Sequence, residues 1–277
     1  MSADGPALAG RILLVGCGKM GRALGTGWLA RGLAPHDLLA VEPDAATAAA
    51  GESQGIAVFA NATDIRPDFA PDWVVLAVKP QVLREVAAPY GRFATLAHFL
   101  SIAAGKTLAE LTASLGRDAR VVRAMPNIPA MVGRGITAAV AGEGVAGPAR
   151  AKCTALLEAV GEVVWLDDEA MMDAVTAVSG SGPAYVFLLI ECLAEAGREA
   201  GLPGGLADQL ARATVAGAGE LARLSDEDAA ILRRNVTSPG GTTAAALEVL
   251  MDADGGLQPL LARAVAAATR RSKELAG

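Results

Sequence analysis

Short apolar runs alternate with alanine-rich segments over residues 1–166, and this alternation most constrains what the chain can fold into. Gly, Pro or Asp bounds each run, which is typical of strands buried on both faces of a largely parallel sheet. The alternation with helical segments predicts an α/β domain with a doubly wound sheet. The predicted strands are 11–15, 38–41, 73–78, 98–103, 121–125, 135–140 and 162–166, and the predicted helices are 20–31, 45–54, 82–88, 107–115 and 148–160.

The strand pattern stops after Asp167, and residues 167–277 predict an all-α domain. The helix that opens at Pro183 is apolar nearly all round, and such a helix is buried on every side. A bundle of this size cannot easily bury it alone, so we expect it to pack against a second subunit; the alternative is the central helix of a monomeric bundle. The predicted helices are 169–178, 183–200, 205–224, 226–235, 243–252 and 258–275.

Composition excludes several classes of function. A net charge of −6 and few aromatic side chains argue against a nucleic-acid partner. Three scattered cysteines and two histidines provide neither a metal-ligand set nor a disulfide framework, which predicts no metal site and a reducing compartment. The N-terminus lacks a signal-peptide pattern, and a predicted turn at 179–183 interrupts the longest uncharged stretch. We therefore expect a cytoplasmic protein that is not in a membrane.

A glycine-rich turn follows the first predicted strand and opens the first helix. It reads Gly16-Cys17-Gly18-Lys19-Met20-Gly21. In a dinucleotide-binding turn the first glycine makes the bend, the second lets the backbone approach a pyrophosphate, and the third lets the helix pack on the strand. The alternative is a plain strand–helix turn.

Two charged residues follow later predicted strands. Glu42 ends the second strand, where an acid accepts the ribose hydroxyls and repels a 2′-phosphate, so it favours NADH over NADPH. Neither Pro43 nor Asp44 offers a partner for a phosphate. Lys79, at the carboxyl end of a predicted strand, would lie beside the cofactor. The alternative for both Glu42 and Lys79 is a solvated surface charge.

The most unusual segment is 235–250, which contains Ser-Pro-Gly-Gly-Thr-Thr. Its glycines free the backbone, and Thr242 or Thr243 would cap the apolar helix that follows. Backbone N–H groups at such a turn can receive a small carboxylate. An ordinary capped helix start is the alternative.

Seven segments together resemble the pyrroline-5-carboxylate reductase family: LLVGCGKMG (13–21), LAVKPQ (76–81), SIAAGKTLAEL (101–111), RAMPNIPAMVGRGITA (123–138), DAVTAVSGSGPAYVF (173–187), AGLPGGLA (200–207) and NVTSPGGTTAAALEVL (235–250). The resemblance covers essentially the whole chain. It implies a Rossmann-type domain followed by an all-α dimerisation domain whose helices interlace between subunits.

The resemblance also implies a reaction and a set of site residues. The reaction is hydride transfer from NADH or NADPH to Δ1-pyrroline-5-carboxylate, which gives L-proline. Thr243 would hydrogen-bond the ring nitrogen as the catalytic residue. The implied cofactor contacts are Gly16, Cys17, Gly18, Lys19, Met20, Gly21, Asn61, Ala77, Val78, Lys79, Pro80, Ala104 and Asn235, and the implied substrate contacts are Glu169, Ser238, Gly240, Gly241, Thr242 and Thr243.

This sequence departs from the family pattern at Glu42, where many members carry Asn or Ser with a nearby Arg and accept NADPH. Two other functions remain open. Related β-hydroxyacid dehydrogenases or imine reductases share the domain plan, although Ser-Pro-Gly-Gly-Thr-Thr better fits a small cyclic amino acid. A nicotinamide-sensing protein without turnover is the second, and an intact Lys79, Thr242 and Thr243 argue against it.

Overall fold

The computed structural model describes residues 8–276. The expectation of no signal peptide rests on residues 1–7 and so falls outside this range. By its contacts the chain forms two compact units. The first comprises the chain up to Gly180 together with the segment from Thr269 onward, and the second is Ser181–Ala268.

The first unit contains an eight-stranded sheet with the order β3-β2-β1-β4-β5-β6-β7-β8 among the described residues. Neighbouring strands are parallel except for β6 and β7, which are antiparallel. The strands are β1 (Ile12–Val15), β2 (Leu38–Val41), β3 (Ala57–Phe59), β4 (Trp73–Leu76), β5 (His98–Ser101), β6 (Arg120–Met125), β7 (Gly135–Ala141) and β8 (Gly161–Trp165). The helices of this unit are α1 (Lys19–Ala30), α2 (Ala45–Glu52), α3 (Leu83–Ala87), α4 (Leu108–Leu115), α5 (Gly147–Leu157) and α6 (Met172–Val175).

Strand β1 shows why the apolar runs form a sheet covered on both faces. Its four residues are all buried. Ile12 and Leu14 join the apolar cluster on one face, whereas Leu13 and Val15 join the cluster on the other. This is the alternation of a strand between two helical layers, and it confirms the predicted α/β, Rossmann-type fold.

Strand β3 was not predicted. It has only three residues, none of them fully buried, and among the described strands it pairs only with β2, at the edge of the sheet. The sequence does carry a signal here, because residues 56–60 read Ile-Ala-Val-Phe-Ala, and this short apolar run was overlooked among the predicted strands.

The remaining helices are α7 (Gly182–Glu199), α8 (Gly204–Leu224), α9 (Ala229–Asn235), α10 (Thr242–Leu250) and α11 (Leu257–Ala276). Side chains of α7 that the sequence predicts to be buried are exposed in the single chain, 55% for Phe187 and 57% for Leu188. The central helix of a monomeric bundle is therefore the wrong alternative for α7.

The predicted turn at 179–183 is wrong. A π-helical turn, Thr176–Gly180, leads through a bend at Ser181 into α7. Pro183 lies in the first turn of α7, where its missing N–H has no helical partner to lose, so the segment starts a helix rather than breaking one. The 31-residue stretch Glu169–Glu199 is long and apolar enough to cross a membrane by length and composition alone.

The predicted division at 166–167 falls directly after β8, whereas the first compact unit extends to Gly180. Packing explains the extension, because Met172 is 1% exposed and contacts Ala138 and Val140 of β7. The last turns of α11 return to the same unit.

Candidate active site

The three glycines of the turn between β1 and α1 have three different surroundings. Gly16 has a φ of +92°, and a Cβ there would lie 2.7 Å from the carbonyl oxygen of Ala77. A Cβ on Gly21 would lie 2.2 Å from the carbonyl oxygen of Gly16. A Cβ on Gly18 would have no neighbour within 4 Å among the described residues. The first glycine thus makes the turn, the third brings helix and strand together, and the second faces open space.

Gly18 is also the N-cap of α1, and no described side chain caps that end of the helix. The first N–H groups of a helix lack helical partners and carry a partial positive charge, so this end suits an anion.

A cleft of about 580 Å³ opens beside this turn, where β1, β2 and β4 end. It brings together predicted cofactor residues that are distant in sequence: Gly16, Gly18, Glu42, Asn61, Ala77, Val78 and Lys79. Of the other residues of the turn, Cys17 and Gly21 are buried. Asp44 and Tyr90 also line the cleft and were not predicted as site residues.

Glu42 is held by two backbone N–H groups. Its Oε2 accepts from the N–H of Cys17 over 2.9 Å, and its Oε1 accepts from the N–H of Asp44 over 3.1 Å. These bonds tie the end of β2 to the glycine turn and fix the carboxylate at the rim of the cleft. Glu42 is therefore part of the turn's structure as well as a charge facing the cleft.

Asp44 adds a second carboxylate to the same end of the cleft. It is the N-cap of α2 and accepts from both the N–H and the hydroxyl of Thr47, over 2.8 and 2.6 Å. These hydrogen bonds lower the pKa of Asp44. Among the described residues that line the cleft, Lys79 is the single cation.

The structure gives local partners to two further predicted cofactor residues. The side-chain amide of Asn61 donates to Asp64 over 3.2 Å within a capping box, so part of its hydrogen-bonding capacity is used locally.

Burial raises the pKa of the Cys17 thiol; the carboxylate of Glu42 raises it further and Arg22 lowers it. Cys17 therefore takes part through its backbone N–H, which donates to Glu42, and not through a thiolate.

A second cavity of about 610 Å³ lies in the same unit. Pro80 and Ala104, both predicted cofactor contacts, line it together with Lys106, Glu110 and Leu275. Lys79 and Pro80 are adjacent in sequence and line the first and the second cavity respectively. Leu275 carries no local sequence signal for such a position.

Glu169, a predicted substrate residue, lines neither of these two cavities. Its Oε1 accepts from the guanidinium of Arg123 and from the N–H of Leu108, each over 2.8 Å. Arg123 is 4% exposed, so Glu169 neutralises a buried cation and caps the start of α4. Its contacts within the chain are structural.

The predicted substrate residues of the second unit lie together, on the loop before α10 and on its first turn: Ser238, Gly240, Gly241, Thr242 and Thr243. The prediction that Thr242 or Thr243 caps this helix is wrong. Gly241 takes the N-cap position, both threonines are already helical, and no described side chain caps the helix. Gly240 has a φ of +69°, which closes the turn. The N–H groups of the first turn of α10 are therefore left without a side-chain acceptor.

Asn235, a predicted cofactor residue, is the last residue of α9, and its side-chain amide donates to Glu227 over 3.2 Å.

The three cysteines are free thiols. The described residues contain no group of three His, Cys, Asp or Glu side chains that could hold a metal ion.

Comparison with known proteins identifies the chain. Residues 169–275 match the family model for pyrroline-5-carboxylate reductase dimerisation, and residues 11–122 match the model for coenzyme F420-dependent NADP oxidoreductase. A pyrroline-5-carboxylate reductase from Pseudomonas aeruginosa is 42% identical over 96% of this chain and 97% of its own.

Two solved structures agree with this match. The pyrroline-5-carboxylate reductase of Coxiella burnetii is 34% identical and superposes with a TM-score of 0.89 over 97% of this chain and 99% of its own. The Plasmodium falciparum enzyme, solved with NADP bound, is 28% identical with a TM-score of 0.83 over 99% of this chain and 100% of its own. The dimerisation match accounts for the exposed apolar side chains of α7 by subunit pairing, so the protein is a homo-oligomer. The chain belongs to the pyrroline-5-carboxylate reductase family.

Proposed function

We propose that this protein reduces Δ1-pyrroline-5-carboxylate to L-proline, the final step of proline synthesis, with a reduced nicotinamide dinucleotide. The observation that carries the proposal is the conjunction of full-length family membership with a glycine turn shaped for a pyrophosphate. The dinucleotide supplies the hydride. C5 of the cyclic imine receives it and the ring nitrogen receives a proton, so the C=N double bond becomes a single bond.

The residues of the first unit fit the dinucleotide. Gly18 leaves open space above the uncapped start of α1, which suits the pyrophosphate. Glu42 lies at the carboxyl end of β2, where the ribose of the adenosine is bound in this fold. Pro80 and Ala104 follow β4 and β5 and would contact the nicotinamide half.

The same cleft supports a preference for NADH over NADPH. Glu42 and Asp44 place two carboxylates where a 2′-phosphate would lie, and Lys79 is the single cation among the described lining residues. At roughly 5 Å, each unit charge on the phosphate is repelled by about 1–3 kcal/mol for effective dielectric constants between water and a protein surface. We therefore expect kcat/KM to favour NADH by at least about tenfold.

The turn before α10 supports binding of the substrate carboxylate. Its first-turn N–H groups have no side-chain acceptor, and Ser238 and Thr242 are exposed beside them. The Thr243 hydroxyl would then hydrogen-bond the ring nitrogen. Since a threonine hydroxyl is a weak acid, its main contribution is to position the imine rather than to donate the proton.

The test follows nicotinamide absorbance with purified protein and Δ1-pyrroline-5-carboxylate, with NADH and NADPH in parallel. Turnover supports the reaction, and binding of the cofactor without turnover would refute it in favour of a sensor or another substrate. A Glu42→Ser variant should shift the kcat/KM ratio toward NADPH. A parent enzyme that prefers NADPH would refute the cofactor proposal.

Thr243→Ala tests the substrate proposal. Loss of a neutral hydrogen bond to the reacting atom costs about 1–3 kcal/mol, or about one to two decades in kcat/KM. Thr237→Ala is the matched control, because the Thr237 hydroxyl donates to the carbonyl of Arg233 within the same segment. Full activity in Thr243→Ala would remove Thr243 from the site.

The proposed location is the cytoplasm. The three free thiols, two buried and one exposed, suit a reducing compartment.

A further inference from the structure

The C-terminal end of α11 contacts a loop that the proposed function assigns to the cofactor. Gly105 lies between β5 and α4, is buried, and has a φ of +69°. A Cβ on Gly105 would lie 3.3–3.4 Å from the Cβ, carbonyl carbon and carbonyl oxygen of Leu275. The last turn of α11 therefore packs directly on the backbone of this loop.

A partly buried hydrogen bond anchors this end of the helix. Ser272 is 5% exposed, and its hydroxyl donates to Oδ1 of Asp173 over 2.7 Å. Asp173 follows Met172, which is 1% exposed and packs on β7. Since Ser272 precedes Leu275 by three residues, the bond fixes the helical turn that carries Leu275.

The other side of the loop is fixed independently. Thr107 and Glu110 form a capping box at the start of α4, and Lys106 pairs with Glu110 over 2.9 Å. Glu169 accepts from the N–H of Leu108. The loop is thus held at Lys106–Leu108 by α4 and at Gly105 by α11. Ala104, between Gly105 and the end of β5, lines the 610 Å³ cavity together with Leu275.

We propose that Ser272 and Leu275 are positioning residues, which set the loop that carries Ala104 against the nicotinamide half of the cofactor. Neither residue is catalytic; both act through the loop. The inference rests on the proposed function, because it takes Ala104 to be a contact of the nicotinamide half. It predicts that changes at the end of α11 affect the nicotinamide half of the cofactor and leave the adenosine half alone.

The experiment compares NADH with ADP-ribose, which lacks the nicotinamide. Equilibrium binding is measured by reduced-nicotinamide fluorescence for NADH and by competition for ADP-ribose. For Ser272→Ala and Leu275→Gly we expect the Kd and the KM of NADH to rise by roughly fivefold, the size of effect of one lost hydrogen bond or packing contact. The Kd of ADP-ribose should stay within about twofold.

Two variants complete the test. Ser272→Thr retains a hydroxyl and should restore NADH affinity at least in part. Lys273→Ala, an exposed position between the two residues, is the matched control and should bind both ligands as the parent does. Leu275→Gly removes the Cβ that packs on Gly105 and leaves the Ser272–Asp173 bond in place, so it tests the loop contact even if Ser272→Ala lowers the melting temperature.

Unchanged NADH binding in both Ser272→Ala and Leu275→Gly would overturn the proposal, and so would an equal loss of NADH and ADP-ribose affinity. The proposed reaction can fail separately, because the Kd measurements for NADH and ADP-ribose do not use the imine. A protein that binds NADH, shows the selective loss and yet does not reduce Δ1-pyrroline-5-carboxylate would refute the reaction and support the positioning role.

Discussion

Alanine substitutions at Gly21 and at Gly18 should separate the effect of the glycine turn on protein stability from its effect on cofactor binding. In Gly21→Ala the new Cβ would lie 2.2 Å from the carbonyl oxygen of Gly16, far inside the roughly 3.5–4.0 Å at which nonbonded carbon atoms pack. Helix α1 must therefore move away from β1. In Gly18→Ala no described atom lies within 4 Å of the new Cβ, and φ and ψ of −64° and −173° suit alanine.

The two costs differ in kind. Overpacking at Gly21 costs about 1–3 kcal/mol, offset by about 1 kcal/mol because alanine favours a helix interior over glycine. Each kcal/mol lowers the melting temperature of a protein of this size by about 2–4 °C. In Gly18→Ala the methyl group would occupy the space of the pyrophosphate. A similar steric cost then opposes cofactor binding and should weaken NADH affinity by roughly tenfold or more.

The assay measures melting temperature without cofactor and NADH affinity by fluorescence, for both variants and the parent. We expect Gly21→Ala to melt lower and Gly18→Ala to bind more weakly while melting within a few degrees of the parent. Parental affinity in Gly18→Ala would refute the assignment of that open space to the pyrophosphate. A higher melting temperature in Gly21→Ala, which is expected if alanine changes only the helix propensity, would refute the steric argument.

Three further predictions concern stability and assembly. Burial, followed by the charge of Arg120, lowers the pKa of His98 from 6.5 despite the opposing effect of Asp72, so its contribution to stability is complete above pH 6.5 and is lost as the pH falls through the folded-state pKa. His98→Gln should therefore flatten the dependence of stability on pH below 6.5 in urea titrations, and an unchanged slope would contradict this. Glu169→Gln leaves the buried guanidinium of Arg123 with a neutral partner and should lower the free energy of unfolding by about 1–3 kcal/mol; lost substrate affinity at full stability would show a substrate role instead. Leu188→Lys places a charge on the exposed apolar surface of α7 and should yield smaller species in size-exclusion chromatography, whereas an unchanged oligomer would place the interface elsewhere.

The sequence predicts well those features that local pattern and topology control together. Strands that are apolar on both faces need a sheet covered by helices on both sides, and parallel strands bring their carboxyl ends to one edge of that sheet. That is why Gly16, Glu42 and Lys79 could be assigned to one cleft from the sequence alone. The strand β3 was missed although its apolar run, 56–60, is present in the sequence. The glycines and serines at 179–182 predicted a turn, although Pro183 lies where a helix start accepts it.

Contacts across long sequence distances could not be predicted in this way. Glu169 meets Arg123 and the start of α4 because β6 and α4 lie beside it in the folded unit, and none of the three has a local pattern that names its partner. The contact of Leu275 with Gly105 joins residues that are 170 positions apart in the sequence. Such contacts follow from the packing of complete elements, which the sequence pattern does not specify.

The hydrogen bonds of Glu42 determine how its effect on cofactor choice should be tested. Because its two oxygens accept from Cys17 and Asp44, Glu42→Ser removes the charge and also leaves two backbone N–H groups without this acceptor. That variant should weaken the binding of both cofactors by loosening the glycine turn. Only the NADPH-to-NADH ratio of kcat/KM therefore measures the effect of the lost charge. Glu42→Gln keeps one acceptor oxygen and the shape, so it should cost less affinity for NADH than Glu42→Ser.

Coulomb's law gives the expected change of the NADPH-to-NADH ratio of kcat/KM in Glu42→Gln. Removing one unit charge about 5 Å from a 2′-phosphate relieves about 1–3 kcal/mol per phosphate charge, so NADPH should gain roughly five- to 150-fold relative to NADH. Asp44 keeps its charge and its hydrogen bonds from Thr47 in this variant, so it still repels the 2′-phosphate and lowers the final NADPH-to-NADH ratio without changing the gain from Glu42→Gln. An NADPH-to-NADH ratio that stays constant in Glu42→Gln but rises in Asp44→Asn would transfer the discrimination from Glu42 to Asp44. A ratio that moves in neither variant would show that the negative end of the cleft is not where the two cofactors differ.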